Sequence, residues 1–79
     1  MENVKEILAE QLLLISDSIS SQEKLDAMQA VGFSRPTLDK YLSGDSENIS
    51  KVEKATELLQ FLQEKVRQRI EKIRETNLV

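Results

Sequence analysis

The sequence predicts an all-α domain of four helices, and three observations carry that expectation. Apolar residues recur three and four positions apart through most of the 79-residue chain, as they do in helices that bury one face. Both glycines and the only proline fall within the window AVGFSRPTLDKYLSG, residues 30–44, so the helix breakers are confined to one place. From Asp45 to the end there is neither Gly nor Pro, which leaves nothing to interrupt a long terminal helix.

The first helix is expected over about 2–16. Val4, Ile7, Leu8, Leu12 and Ile15 share one face of it, and Lys5, Glu6, Glu10 and Gln11 fill the other. A second helix is expected over about 21–31, because Ser20 and Glu23 have the spacing of a capping box and Leu25, Met28 and Val31 form its apolar stripe. Gly32 follows, where a left-handed residue ends a helix without steric cost.

Ser34 is placed to cap a third helix over about 35–43, with Pro36 in the first turn, where its missing N–H does no harm. Phe33 and Leu38 stand at the two positions of a hydrophobic staple, Leu38, Tyr41 and Leu42 supply the stripe, and Gly44 stops the helix. Ser50 and Glu53 have capping-box spacing at the head of a fourth helix, expected over about 50–76. Val52, Ala55, Leu59, Leu62, Val66 and Ile73 continue the three-four spacing along it.

Such a helix is roughly 40 Å long at 1.5 Å per residue, whereas a body made of the preceding ~50 residues spans only about 25 Å. Residues 63–79 are therefore expected to project or to pack on a second chain. No internal repeat, low-complexity stretch or long linker divides the sequence, so residues 1–79 read as one domain.

Composition narrows the function. The chain has no Cys and no His, which removes disulfides, thiolate metal sites and the commonest general base and metal ligand. It also lacks a Gly-rich phosphate loop and a nucleophile elbow. The expectation is a protein that is not an enzyme, without a cofactor, a metal or a small-molecule ligand. The longest apolar run is Leu12–Ile15, far short of the ~20 residues of a membrane span, so a cytoplasmic protein with no membrane partner is expected. Fourteen acidic residues outnumber eleven basic ones, for a net charge of -3. Any nucleic-acid contact must then be local rather than a matter of bulk charge.

A short helix, a Gly-containing turn and a second short helix with a polar start make the helix-turn-helix layout. The segment VGFSRPTLDKYLSG resembles the second half of that motif in phage-repressor-like, Cro-type DNA-binding proteins, with Val31, Gly32, Phe33, Leu38 and Tyr41 at the matching positions. The segment ISKVEKATELLQFL is similar to the helix that follows the motif in small bacterial and phage regulators. The resemblance covers about 20–62. It departs from the family pattern in one respect: Met28, not Ala, stands four residues before the turn glycine, with Ala27 before it.

The resemblance implies a sequence-specific protein for double-stranded DNA, a small homodimeric transcriptional regulator whose third helix enters the major groove. On that reading the outward residues Ser34, Arg35, Thr37, Asp39, Lys40 and Ser43 face DNA. Arg35 suits a bidentate contact to guanine, Thr37 a thymine methyl or phosphate, and Lys40 a phosphate. Asp39 is the awkward member, since phosphates repel a carboxylate unless it accepts from cytosine or orients Arg35 or Lys40. Gln22 and Lys24, early in the second helix, are placed for phosphate contacts. Leu59, Leu62, Val66, Ile70 and Ile73 form the expected dimerisation stripe, along which two motifs would read half-sites one DNA turn apart. The alternatives are a helical protein-interaction module, such as an adaptor, antitoxin or inhibitor, and a purely structural helical oligomer.

Overall fold

Local capping sets where each helix begins. The structure, a computed structural model describing residues 3–77, contains α1 (Val4–Ser16), α2 (Ser21–Val31), α3 (Arg35–Tyr41) and α4 (Val52–Asn77), with a single 3-10 turn at Ser46–Asn48. There is no strand among the described residues. The first expected helical residue, Glu2, lies outside them. Asn3 is extended and its side chain accepts from the Lys5 N–H at 2.9 Å, so α1 starts at Val4.

The capping box of α2 is present in both directions: the Ser20 N–H donates to Glu23 Oε1 at 2.8 Å, and the Glu23 N–H to Ser20 Oγ at 3.2 Å. At the other end Gly32 has φ +84°, and the N–H groups of Gly32 and Phe33 both reach the Met28 carbonyl, which closes the helix in a left-handed turn. The departure at Met28 has a packing counterpart. Ala27, one residue earlier, is the fully buried small residue, while Met28 is half-buried against the core.

Two expected boundaries move. Helix α3 stops at Tyr41 instead of residue 43, because the last turn tightens: the Ser43 N–H bonds the Lys40 carbonyl and Gly44 turns to φ +87°. Helix α4 begins at Val52, with no box between Ser50 and Glu53. Tyr41 is the reason, since its Oη accepts the Lys51 N–H at 3.0 Å and lies 3.1 Å from Ser50 Oγ. The Lys51 carbonyl then accepts the first helical bond, from Ala55, so Lys51 occupies the capping position that the sequence suggests for Ser50.

Helix α4 packs along both α1 and α2. Leu8 and Leu12 of α1, Leu38 of α3, Ile49 of the connection and Leu58 and Leu62 of α4 meet in the core, and among the described residues no polar residue is buried with them. Burying a Leu or Ile side chain fully contributes about 1.5–3 kcal/mol, so this small group dominates the packing. Ties to α2 run along α4 as far as Arg69: Lys54 Nζ donates to the Val31 carbonyl at 3.3 Å, Lys65 pairs with Asp26 at 3.6 Å, and Arg69 pairs with Glu23 at 2.8 Å. Arg69 also donates to the Ser18 carbonyl in the α1–α2 connection.

These ties shorten the stretch expected, from residue 63, to project or to pack on a second chain. The helix stays docked through Arg69, and only from Ile70 to Glu75 is every residue exposed. Leu62 has no exposed surface and Leu59 is half-buried, so the fold withdraws Leu62 from the expected dimerisation stripe. Among the described residues no helix is long and apolar enough to cross a membrane.

Candidate nucleic-acid interface

Helix α3 is seven residues long, and the fold holds it at both ends. Ser34 caps its start, with Oγ accepting from the Thr37 N–H at 3.4 Å and lying 3.0 Å from Thr37 Oγ1. Leu38 and Tyr41 anchor its inner side. The Phe33 ring lies over Tyr41 with centroids 4.6 Å apart, tilted by 43°, so the apolar residue before the cap packs on the end of the helix that it introduces.

The outer side carries Arg35, Asp39 and Lys40, all exposed, and Thr37, half-buried. Arg35 Nε lies 3.5 Å from Asp39 Oδ1, an i,i+4 ion pair in which both side chains are about three-fifths exposed. An exposed pair of this kind is worth ~0–1 kcal/mol, so it orients the guanidinium without locking it. Because Asp39 takes the Nε side, the two terminal nitrogens of Arg35 remain available for a bidentate contact. Ser34, Arg35, Thr37, Asp39 and Lys40 are thus gathered on one short rigid element.

Three expected members are placed differently. Ser43 closes the loop: its Oγ donates to the Lys40 carbonyl at 2.7 Å and accepts from Asn48 Nδ2 at 3.0 Å. Gln22 donates to Asp26 at 3.1 Å and, with Ser20 and Glu23, faces Lys65, Arg69 and Lys72 of α4 across a shallow groove. Lys24 is half-buried on α2. Both α2 residues lie near the end of that helix remote from the turn, about 10–14 Å along its axis from Val31.

Lys51 is a residue that sequence reasoning missed. The Tyr41–Lys51 bond brings the head of α4 against α3 and leaves the lysine exposed beside it. Its only sequence signal is its place next to the expected cap at Ser50. Lys54, by contrast, is committed to the Val31 carbonyl and to Glu57. Over residues 34–54 four basic residues stand against four acidic ones, so this surface acts through individual side chains and not as a basic patch.

A second charged surface lies on distal α4. Arg67 bonds Glu64 and Glu71 together, and the Arg67 hydrogen bond holds the Glu64 carboxyl below its ordinary range while raising Arg67 in turn. Among the described residues no three His, Cys, Asp or Glu side chains are grouped to hold a metal.

Comparison with protein-family models, curated proteins and solved structures finds no match to this chain.

Proposed function

We propose that this protein binds double-stranded DNA in a sequence-specific manner, as a homodimeric regulator of transcription, with α3 in the major groove. The observation that supports the reading is the setting of α3. A left-handed Gly32 turn, a Ser34 cap and a buried Leu38–Tyr41 side hold a seven-residue helix whose outer side presents Arg35, Thr37 and Lys40. Such a helix is short enough to enter the groove end-on, and its first turn carries the groups that read base edges. Asp39 fits as a brace for Arg35, which gives the acidic residue a place in a surface that meets DNA. Lys40 on α3 and Lys51 beside its C-terminal end, both exposed, suit phosphate contacts.

Selection from a randomised duplex pool tests the reading. The expected outcome is a twofold-symmetric site with a guanine in each half, bound more weakly by Arg35→Ala at that position. Recovery of no preferred sequence at low salt would overturn the proposal. So would unchanged binding by the Arg35→Ala, Lys40→Ala double variant.

A further inference from the structure

The chain carries two Ser-x-x-Glu segments of the same spacing ahead of a helix, Ser20–Glu23 and Ser50–Glu53. The first makes its capping box in both directions at the head of α2, whereas the second is unmade. Tyr41 makes the difference at Ser50. Its Oη lies 3.1 Å from Ser50 Oγ and accepts the Lys51 N–H at 3.0 Å, so a phenol from α3 engages the hydroxyl that would cap α4. Glu53 is exposed, and its carboxylate has no hydrogen bond or ion pair with any described residue.

The head of α4 therefore has two starts built into its sequence. In the observed one Lys51 is the non-helical residue before Val52, and its carbonyl accepts from Ala55. In the other Ser50 is the cap, the Glu53 side chain reaches back to the Ser50 N–H, and Lys51 becomes the first helical residue. The two exclude each other at Lys51, whose backbone is helical in one and not in the other. Burial decides between them. Tyr41 is 3% exposed, and leaving its hydroxyl without partners costs more than a cap in solvent returns. Without that hydroxyl the cost disappears, and the box becomes the better start.

We infer that the Tyr41 hydroxyl is a positioning group that holds the head of α4 in the Lys51 start against the competing Ser50–Glu53 box, and so sets Lys51 beside the last residue of α3. Displacing it moves the start by one residue and redirects the Lys51 side chain, because a residue that enters the first helical turn changes its direction. The choice between starts is a property of the free chain. Only the use of Lys51 on a phosphate rests on the proposed function.

NMR of substituted chains tests it. Tyr41→Phe keeps the ring that packs on Phe33, and it is expected to bring the Lys51 Cα shift into the helical range and to slow Ser50 amide exchange about fivefold, the effect of one cap. Adding Glu53→Ala should cancel that slowing, while Glu53→Ala alone should leave the Ser50 amide of the wild type unchanged. Lys51→Pro removes the same bond from the donor side and suits the first helical position, so it should slow the Ser50 amide as well. Circular dichroism verifies helicity, and Lys51→Pro replaces Tyr41→Phe if the latter does not fold. An unslowed Ser50 amide in the variant that folds, a Lys51 shift that stays non-helical in Tyr41→Phe, or a wild-type Ser50 amide that Glu53→Ala speeds up would each overturn the inference. On the selected duplex Tyr41→Phe is expected to flatten the salt slope by about 2, as loss of one lysine contact per subunit does, with the preference for guanine kept. A start that moves while the slope stays overturns the placement of Lys51, whereas a start that moves in a chain preferring no DNA sequence overturns the DNA reading alone.

Discussion

Gly32 and Gly44 have nearly the same backbone conformation, φ +84° and +87°, yet they answer to different constraints. A Cβ on Gly32 would meet nothing within 4 Å, so Gly32→Ala bears only the left-handed backbone cost, about 1–2 kcal/mol. A Cβ on Gly44 would sit 2.7 Å from Leu13 Cδ2 and 3.4 Å from its Cβ and Cγ, which adds displacement of a side chain to the same strain. In urea unfolding Gly44→Ala is expected to lose more stability than Gly32→Ala. Adding Leu13→Ala to Gly44→Ala should recover part of the difference, because Leu13 is 42% exposed and contributes little by burial. Equal losses at the two glycines would show that the Leu13 contact is immaterial.

Arg69 is the clearest case of a residue that binds one element to another. Its position interrupts the apolar stripe of α4, and its pairing with Glu23 and the Ser18 carbonyl spans 46 and 51 residues of sequence. Arg69→Ala is expected to cost about 1–3 kcal/mol, as a lost charge-assisted hydrogen bond does. Faster amide exchange in α4 beyond Lys65, with the core of α4 unchanged, would show that the docking is local. The clasp on the outer side of the same helix gives a pH-dependent counterpart. Hydrogen bonding by Arg67 lowers the Glu64 carboxyl from its ordinary 4.5, so its small contribution is present above that value and is lost as pH falls through the lowered one. Carbon-detected NMR titration of Glu64 should find a midpoint below 4.5, and Arg67→Gln should return it upward. The same contrast separates what was legible in the sequence from what was not. The box at Ser20–Glu23, the Gly32 turn and the Ser34 cap involve residues a few positions apart, so spacing alone reveals them. The Tyr41 hydroxyl that displaces the Ser50 cap, the burial of Leu62 and the docking by Arg69 depend on which helices meet, and no local pattern encodes that. In the candidate site Ser34, Arg35, Thr37, Asp39 and Lys40 were legible because one short helix carries them. Ser43, Gln22 and Lys51 were misjudged or missed because their surroundings are tertiary.

At the scale of the whole molecule the net charge of -3 sets how the proposed DNA binding must behave. A protein that coats DNA releases many counterions, and its affinity collapses with salt at a slope of about -0.9 per neutralised phosphate. Lys40 and Lys51 are exposed lysines beside α3, so the proposed twofold dimer would contact about four phosphates by lysine and the expected slope is only about -4. The slope should divide cleanly among residues. Lys40→Ala removes one contact from each subunit and is expected to flatten the slope by about 2, weakening all sequences alike. Arg35→Ala is expected to cost about 1–3 kcal/mol at its guanine in each half-site, and to leave other positions of the site as discriminating as before. Asp39→Asn removes a repulsive carboxylate together with the brace on Arg35. It should therefore raise affinity for duplexes in general while loosening the preference for guanine, a combination that neither a purely repulsive nor a purely structural Asp39 produces. Fluorescence anisotropy at several salt concentrations, with the selected site and a scrambled duplex in parallel, measures all three slopes and ratios. A steep slope that Lys40→Ala leaves unchanged would mean that the DNA lies on another face of the molecule, such as the basic edge of α4.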